Sequence, residues 1–495
     1  MRKFILILGI ISGAVAFGSL AWSGTEETSG ARVEASARNT RTFTLDRAIL
    51  TALQRNPTIL NAKQEIARTK GVIIEIRAQA LPHIGPSAQF QWTDPKLGTS
   101  AGGVVLGGGG TTAGSEIFYN ISVTGTQLIF NGTTLPAIRG TFFQRDSAYF
   151  AFRNSVDQVI STVKTQFYQI VLNKALIGVQ EESVHLLESQ LKDQQNRFEA
   201  GTVPRFNVLQ AEVALGNQIP NLITAQNNFQ ISQLTLAKTL GLDFDPRRGE
   251  KSQLEVVGEM PYVPQDIALV EAIELGKARR PFLKQARANV LNQIEQVHVA
   301  LGGFWPTVNA TGSGEWVSSP VNSSFGDISK GWIAGVTGSW PIWDSGQVYG
   351  QVKQQRALLS EAKITYDDDV REVELEVQQA YLNLKQNREL IQSQEKNVEQ
   401  ADEALRLARA RLDAGAGTQL DVLNAQVQLL TAQSTRLQAL FGYNASLAEF
   451  DRVTGAQSTY TESFNSFAPR ATRSKIYDTG SGTTATGKRR ENSSK

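Results

Sequence analysis

The stretch VREVELEVQQAYLNLKQNRELIQSQEKNVEQADEALRLARARLDAG (Val370–Gly415) decides the fold, because an apolar residue returns at every seventh position along it. A sustained seven-residue repeat is typical of long helices that pack against neighbouring helices along one seam. The run 355–414 contains no proline, which predicts one helix on the order of 90 Å long at about 1.5 Å per residue. The seam consists of Val370, Val377, Leu384, Ile391, Val398, Leu405 and Leu412.

An earlier stretch, VDQVISTVKTQFYQIVLNKALIGVQEESVHLLESQLKDQQNRFEAG (Val156–Gly201), repeats this pattern at a constant offset, so that Val156 corresponds to Val370. Upstream, the counterparts of Pro57 and Pro82 lie at a larger offset, so the extra residues of the first copy fall in the glycine-rich segment 98–114. Such a duplication predicts one body built from two similar halves. The first seam consists of Val156, Val163, Ile170, Ile177, Val184, Leu191 and Phe198.

Each long helix ends at an Ala-Gly pair. Gly201 and Gly415 suit the left-handed backbone conformation that commonly ends a helix. Pro204 and Thr418 follow them, and both residue types are favourable where a helix begins. The sequence therefore predicts a long helical hairpin in each half, with a tight turn at its tip.

Before each long helix the apolar pattern changes from helical to alternating. Alternation places apolar residues on one face of a β-strand and polar residues on the other. It predicts strands over 83–94 and 116–130 in the first half, and over 307–318 and 330–343 in the second. Aromatic residues at the loop ends of these strands, as in the girdles of membrane barrels, are Trp92, Tyr119, Trp316 and Trp332.

Four strands are too few to close a membrane barrel, which begins at about eight strands and leaves no edge unpaired in lipid. The chain is therefore expected to assemble with copies of itself, with lipid outside and the polar faces toward water. That arrangement describes a channel. The expected fold class is mainly α, with duplicated coiled-coil hairpins and a transmembrane β-barrel part to which each chain contributes four strands.

The first residues, 1–23, combine Arg2 and Lys3 with an apolar run and small residues, which predicts a secretory signal peptide. An uncleaved membrane anchor is the alternative, although the run is short for a span of about 20 residues. The chain has no cysteine, and its net charge of +2 indicates no nucleic-acid partner. The polar segment 456–495 is interpreted as a disordered tail.

No pattern for catalysis or for a metal or cofactor is present. The three histidines, His83, His185 and His298, lie far from metal-ligand spacing, and the HExxH motif is absent from the sequence. The chain is therefore not expected to be an enzyme. Asp421 opens the second return helix, where it either completes a capping box with Thr418 or, repeated around an axis, forms an acidic ring that favours cations.

The duplicated halves resemble the TolC family of outer-membrane efflux proteins over about 42–455. The resemblance is carried by the LIFNG and PIWDSG segments that enter the long helices, by the RFEAGTVPRFNVLQAE and RLDAGAGTQLDVLNAQ tips, and by the closing YNASLAEFDRVTG. It implies a homotrimer with a twelve-stranded outer-membrane barrel and a long periplasmic tunnel. It also implies a passive duct that an inner-membrane transporter and a periplasmic adaptor recruit.

The resemblance implies roles for the tips. The adaptor is expected to dock at 200–203 and 414–417, and the tips are expected to form the periplasmic entrance. The family can carry two acidic residues there, which match Asp421 and Asn424, so the cation filter is expected to be weaker here. The basic residue of the family's latch falls on Gly417, and its partners fall on Phe206 and Asn207, so that latch is not expected. The docking residues are Ala200, Gly201, Thr202, Val203, Ala414, Gly415, Ala416 and Gly417.

The expected organisation is a signal peptide (1–23), a first repeat (42–241), a linker (242–265), a second repeat (266–455) and a tail (456–495). The first repeat holds helices in 44–81 and the hairpin 133–241, and the second holds helices in 266–303 and the hairpin 345–454. The rival interpretation is a coiled-coil scaffold or adaptor of the cell envelope, which would not need the two strand pairs. Drug efflux, metal efflux and protein secretion all remain open as the transported class.

Overall fold

A computed structural model of the chain describes residues 41–92, 117–242, 254–265, 268–318 and 328–456. The chain divides into two units, 1–41 and 42–495, and all described residues except Arg41 belong to the second. The expected signal peptide, the glycine-rich segment 98–114 and the tail beyond Ala456 lie outside the described residues.

Eight helices occur within the described ranges. Asn56 separates the first two, and its side-chain Oδ1 accepts a hydrogen bond of 2.8 Å from the backbone N–H of Thr58. In these ranges no helix is both long enough and apolar enough to cross a lipid bilayer. The helices are α1 (Leu45–Arg55), α2 (Pro57–Ala78), α3 (Thr134–Glu199), α4 (Arg205–Thr239), α5 (Leu269–Arg279), α6 (Pro281–Gly302), α7 (Gln347–Asp413) and α8 (Gln419–Thr454).

The two long helices, α3 and α7, contain 66 and 67 residues, or about 100 Å each at about 1.5 Å per residue. Each packs against its return helix, α4 or α8, and α3 also packs against α8. Val377 and Ile391 of the second seam are buried. Phe198, the last residue of the first seam, is 44% exposed, which corrects the expectation of an unbroken buried seam.

Near the first tip, the buried residues are not the seam residues but those three positions after them. Leu187 and Gln194 are buried there, while Val184 and Leu191 are half-buried. A seven-residue repeat has two inward positions per heptad. Toward this tip, the residues at the second inward position pack against the neighbouring helices, and Phe198, at the first inward position, lies at the surface.

The four long strands form one antiparallel sheet in the order β2-β3-β5-β6. Its register places like faces together, since Ser87 pairs with Ser122, and Ala88 pairs with Ile121. A register shift lies between Leu128 and Phe130. A separate two-stranded sheet pairs β1 with β4. The strands are β1 (Arg41–Phe43), β2 (His83–Trp92), β3 (Ile117–Phe130), β4 (Leu254–Val256), β5 (Thr307–Ser318) and β6 (Ile328–Ser339).

The last strand differs from its expected bounds of 330–343. It begins at Ile328 and ends at Ser339, because Pro341 has no backbone N–H to continue the ladder. Trp332 is therefore the fifth residue of β6, not an end residue. The segment between Ser339 and α7 is irregular.

Two apolar cores follow the duplication. The first gathers α1, α2, α3 and the end of α4 around Phe152 and Phe167, together with β1 and β4. The second gathers α5, α6, α7 and α8 around Tyr443 and Ile391. Each core therefore holds one short helix pair against one long hairpin.

Candidate functional site: the two helical tips

The first tip is a tight turn between α3 and α4. Gly201 has a left-handed φ of +72°. Its N–H donates to the carbonyl of Phe198 at 2.9 Å, and the N–H of Thr202 donates to the carbonyl of Arg197 at 2.9 Å. These two bonds satisfy carbonyls at the helix end, as in a Schellman motif. The turn is thus fixed by the backbone, and Ala200 and Gly201 lie exposed at its surface.

The second tip repeats this geometry between α7 and α8. Gly415 has a φ of +71° and donates its N–H to the carbonyl of Leu412 at 3.0 Å, while Ala416 donates to Arg411 at 2.9 Å. A Cβ added at Gly201 or at Gly415 would meet nothing within 4 Å. Both tips therefore present the same bare, outward-facing turn.

Asp421 completes a capping box at the start of α8. Its Oδ2 accepts hydrogen bonds from the N–H of Thr418 at 2.9 Å and from the hydroxyl of Thr418 at 2.7 Å. The Thr418 hydroxyl oxygen in turn accepts from the N–H of Asp421 at 3.2 Å. These bonds and the nearby charge of Arg411 lower the pKa of Asp421. The carboxylate is thus ionised, and it is also exposed.

The other expected entrance residues lie near Asp421 in sequence or at the matching tip. Asn424 is exposed on the next turn of α8, and Asn207 is half-buried at the start of α4. A Cβ at Gly417 would lie 3.1 Å from the Cβ of Arg411, so this position favours glycine for close packing. The roles of these residues at an entrance remain predictions.

In the half of α3 nearest the tips, three polar contacts join this helix to the second hairpin, and sequence reasoning missed them. Gln190 Nε2 donates to Gln426 Oε1 at 3.0 Å, and Gln194 Nε2 donates to Gln419 Oε1 at 3.4 Å. Nearest the tips, Arg197 Nη2 lies 3.7 Å from Asp413 Oδ1. The only sequence signal was glutamine at inward heptad positions, which does not identify a partner.

A charged cluster lies farther up, where the two repeats meet. Arg280, between α5 and α6, is 5% exposed and forms an ion pair with Glu376 of α7. Arg452 of α8 pairs with Glu376 at 3.4 Å and with Glu449 at 2.6 Å. Glu449 also accepts a bond of 3.2 Å from the Ser161 hydroxyl of α3. This cluster ties the first long helix to the second core.

Asp157 of α3 is buried beside this cluster. Burial raises the pKa of its carboxyl to about 6, although the charges of Arg153, Arg452 and Arg280 act in the opposite direction. A carboxyl that resists ionisation inside a structural cluster is a pH-sensitive element of the fold. In the sequence it stands among apolar residues with no signal that distinguishes it.

The four aromatic residues predicted as a membrane girdle lie on the sheet. Trp92, Trp316 and Trp332 are 76%, 39% and 81% exposed, and Tyr119 is half-buried. Trp92 pairs with Ile117, two residues from Tyr119. On the same face, Ile121 pairs with Trp316.

Comparison with known proteins places these features in one family. The model of the family described as outer membrane efflux protein matches residues 48–242 and 272–456, more than half of the chain. The chain belongs to the outer membrane efflux protein family. The resemblance to TolC inferred from the tips and strand-to-helix segments is thereby confirmed.

Several curated relatives share modest identity with this member of the efflux family. Nodulation protein T of Rhizobium leguminosarum bv. trifolii is 23% identical over 308 residues, which cover 61% of this chain and 63% of that protein. Nodulation protein T of R. leguminosarum bv. viciae is 26% identical over 286 residues, or 57% of each chain. Outer membrane protein TolC of Escherichia coli K12 is 24% identical over 384 residues, covering 75% of this chain and 74% of TolC. The matches to the nodulation proteins therefore span less than two thirds of their lengths.

Solved structures show the fold of the efflux family. The CmeC outer membrane channel of Campylobacter jejuni superposes with a TM-score of 0.72 at 16% identity, over 87% of this chain and 90% of CmeC. The outer membrane protein VceC of Vibrio cholerae gives 0.69 at 18% identity, over 83% of this chain and 96% of VceC. The expected fold class, a helical tunnel with a barrel part, is confirmed.

Membership in the efflux family fixes the general character of the chain. Its members are non-enzymatic transport ducts of the outer membrane with a periplasmic tunnel, so the expected location and the expected lack of enzymatic activity are confirmed. TolC-family channels are trimers that work with adaptor proteins and inner-membrane transporters.

Proposed function

We propose that this chain is the exit duct of a tripartite efflux or type I secretion system. Three copies form the duct, which passively conducts substrates delivered by an inner-membrane transporter and a periplasmic adaptor. The transporter supplies the energy. The observation that carries this proposal is an open four-stranded sheet attached to two helical hairpins about 100 Å long.

The sheet supports closure by several copies. Its outer strands, β2 and β6, each pair on one side only within the described sheet, and both are exposed along their whole length. Exposed edges cannot remain in lipid, where every backbone polar group needs a partner. Four strands from each of three copies give the even number that a closed membrane barrel requires. The face bearing Ser122 and Glu315, which pair with each other, then lines the lumen.

The aromatic girdle is supported by its regular stagger. Trp92 pairs with Ile117, two residues before Tyr119. Ile121, two residues after Tyr119, pairs with Trp316, which itself pairs with Lys330, two residues before Trp332. A line through the four girdle residues therefore advances by two residues, always in the same direction, from each strand to the next. With about 3.3 Å per residue and about 4.8 Å between strands, this line makes an angle of about 50° with the perpendicular to the strands. Barrel strands tilt by roughly 35–45°, so such a line follows the membrane plane.

We propose the following organisation for the duct. Residues 1–23 direct export, 42–241 and 266–455 form the two repeats around the linker 242–265, and 456–495 is a tail. The tips 200–203 and 414–417 receive the adaptor, because both are exposed turns whose glycines leave the surface open. The lipid of the outer membrane surrounds the barrel.

Reconstitution tests the duct directly. The mature protein, purified from outer membranes and placed in a planar bilayer, is expected to be a trimer that gives discrete, long-lived conductance steps. A soluble protein that lacks conductance under all voltages would instead support the rival, a coiled-coil scaffold of the envelope. Removing the residues around Gly201 and Gly415 then distinguishes a closed entrance from a protein that has no pore.

Asp421 is the residue for which we predict ion preference at the entrance. Three copies of its ionised, exposed carboxylate around one axis attract cations. In a salt gradient, Asp421→Asn is expected to shift the reversal potential toward the value of a channel without cation preference. Asn424→Asp is expected to shift the reversal potential in the opposite direction, toward stronger cation preference. Because Asp421 also caps α8, Thr418→Ala is the matched control, which weakens the cap but keeps the charge. An unchanged reversal potential in Asp421→Asn would remove the filter assignment.

A further inference from the structure

A cavity of about 310 Å³ opens between α3 and α4, near the middle of the first long helix. It lies about 50 Å from the start of α3 at about 1.5 Å per residue. Six of its seven lining side chains are polar and uncharged, and the seventh is Ile231. The polar residues are Gln166, Gln169 and Asn173 of α3, and Asn228, Ser232 and Thr235 of α4.

The wall of this cavity carries no charge. In this region α3 has no charged residue between Lys164 and Lys174, and α4 has none between Glu212 and Lys238. An ion that entered the cavity would lose its hydration and find no opposite charge. An apolar molecule would cover the amides without replacing their hydrogen bonds to water, which also costs free energy. The ligand that fits is therefore neutral and rich in hydrogen-bonding groups.

Part of the wall is bonded to itself. Gln169 Nε2 donates to Asn173 Oδ1 at 3.0 Å, and Asn173 Nδ2 donates to the backbone carbonyl of Asn228 at 3.2 Å. The hydroxyl groups of Ser232 and Thr235 donate to carbonyls of their own helix. A hydroxyl oxygen that has donated its proton can still accept, so these two side chains offer acceptors to a ligand.

Gln166 is the unpaired residue of the wall. Its Oε1 is buried and has no hydrogen-bond partner among the described residues. A buried amide oxygen without a partner is destabilising, so its position at a cavity indicates a donor that arrives with a ligand. The glutamine amide places a donor and an acceptor side by side. That arrangement matches two adjacent hydroxyl groups, one of which donates while the other accepts.

In the second repeat, a side chain occupies the matching space. Asn387 corresponds to Asn173, and its Nδ2 donates to Ser446 Oγ at 2.9 Å. Gly442 permits this position, because a Cβ on Gly442 would lie 2.5 Å from Asn387 Oδ1. Asn228 stands at the place of Gly442 in the first repeat, so Asn173 cannot adopt the position of Asn387. Side-chain substitutions, and not the shared backbone path, therefore open the cavity.

We propose that this cavity binds a neutral saccharide of one or two rings. A sugar ring carries adjacent hydroxyl groups for the amides and a face of C–H groups that Ile231 can contact. The volume is at the lower end of the range of about 300–1,000 Å³ that is usual for small-molecule pockets. Because the tunnel is periplasmic, the saccharide is either a free sugar or part of the cell-wall glycan. The inference needs only the fold of the first hairpin and does not depend on conduction.

Alkylation of a single cysteine tests the proposal, because the chain has no cysteine of its own. The reporter is Thr235→Cys in the cavity, and the matched control is Thr224→Cys. Both threonines are exposed on α4, and both donate to the carbonyl four residues earlier. The trimer is kept in an amine-oxide detergent, because maltoside detergents themselves carry a disaccharide. A maleimide reacts with each variant with and without maltose, or the trisaccharide of N-acetylglucosamine.

A bound saccharide is expected to slow alkylation at position 235 several-fold and to leave the rate at 224 unchanged. Protection by the trisaccharide alone identifies the cell-wall glycan as the source, and protection by maltose identifies free sugars. Gln166→Ala, which introduces the residue found at the matching position 380, is expected to abolish the protection. Asn228→Gly is the second variant, because it lets Asn173 close the cavity. The mass of the trimer shows that each variant is assembled.

Three results would overturn the proposal. The first is an alkylation rate at 235 that neither saccharide changes, and the second is equal protection at 224 and 235. The third is protection that persists in both Gln166→Ala and Asn228→Gly. A cysteine at 235 that resists alkylation without saccharide, while the cysteine at 224 reacts, would mean that another copy of the chain covers the cavity, which also overturns the proposal.

Discussion

The two repeats follow the same path with different local chemistry, and Gly132 and Gly346 illustrate this. They occupy matching positions in the two repeats, each just before a long helix. A Cβ on Gly132 would lie 2.7 Å from the carbonyl oxygen of Gly302 and 2.9 Å from the Cβ of Trp305. A Cβ on Gly346 would meet nothing within 4 Å, but its φ is +87°. Glycine is therefore required for close packing at position 132 and for the left-handed backbone conformation at position 346.

Exchanging each glycine for alanine separates these constraints and gives the largest effect that we predict. Gly132→Ala is expected to lower the free energy of unfolding by about 3 kcal/mol or more, because the backbone of Gly302 must move. Gly346→Ala is expected to cost about 1–2 kcal/mol, the penalty for a left-handed residue with a Cβ. Thermal and urea unfolding in detergent micelles measures both. Equal losses would show that packing at Gly132 relaxes freely.

The sequence predicted what repeats and alternation encode. The two hairpins, the glycine turns at Gly201 and Gly415 and the alternating faces of the strands follow from local periodicity, which neighbouring residues determine. Contacts between segments that are distant in the sequence could not be predicted from this periodicity. The pairing of Arg280 with Glu376, and of Gln190 with Gln426, depends on how two hairpins meet in space.

The end of β6 and the exposure of Phe198 were mispredicted for a related reason. Pro341 stands inside an alternating run, and its missing N–H outweighs the pattern. The first seam was read as seven equal positions, whereas Leu187 and Gln194 carry the contact near the tip. The capping box of Asp421 was one of two interpretations, and the structure contains it.

Asp157 and its counterpart Arg371 show that the two repeats have diverged in charge. Asp157 is buried, whereas Arg371, at the matching position of the second repeat, is exposed and pairs with Asp368 at 3.0 Å. Because burial raises the pKa of Asp157 to about 6, the folded state binds a proton more tightly than the unfolded chain. Its stabilising contribution is complete below the unfolded pKa and is lost as pH rises through about 6.

Asp157→Asn removes this proton linkage. We expect the variant to gain stability relative to the parent by up to about 3 kcal/mol between about pH 4 and pH 7, since one pKa unit corresponds to about 1.4 kcal/mol. Unfolding of both proteins in detergent across this range gives the difference. Arg371→Gln serves as the control, with no comparable trend. Parallel pH profiles for Asp157→Asn and the parent would mean that Asp157 is ionised throughout.

The tips differ in how their return helices begin. Thr418 caps α8 through its side chain, while the matching residue before α4 is Pro204, which makes no side-chain cap. Thr418→Ala is expected to cost about 1 kcal/mol, as is usual for a lost cap. Hydrogen exchange of the first amides of α8 measures the local loss, and the amides of α4 in the same protein are the internal reference. If the first amides of α8 exchange no faster in Thr418→Ala than in the parent, relative to the amides of α4, the capping box adds nothing to the stability of the turn.

The smallest effect that we predict is at the contact between the tips. Arg197 and Asp413 are separated by 3.7 Å and are 39% and 72% exposed, and Arg197 keeps a second partner, Asp193, at 2.9 Å. Exposed ion pairs contribute about 0–1 kcal/mol. Asp413→Asn is therefore expected to change the free energy of unfolding by less than about 0.5 kcal/mol, with Asp193→Asn as the matched control.

Single-channel recording extends this last comparison from stability to opening. If the glutamine pairs Gln190–Gln426 and Gln194–Gln419 hold the hairpins together, loss of the exposed ion pair leaves the conductance and the open time unchanged. A clear rise in open time for Asp413→Asn, but not for Asp193→Asn, would contradict this expectation. It would show that the ion pair between Arg197 and Asp413 holds the two tips together. In that case a weak contact at the ends of two helices about 100 Å long would control how far their tips separate.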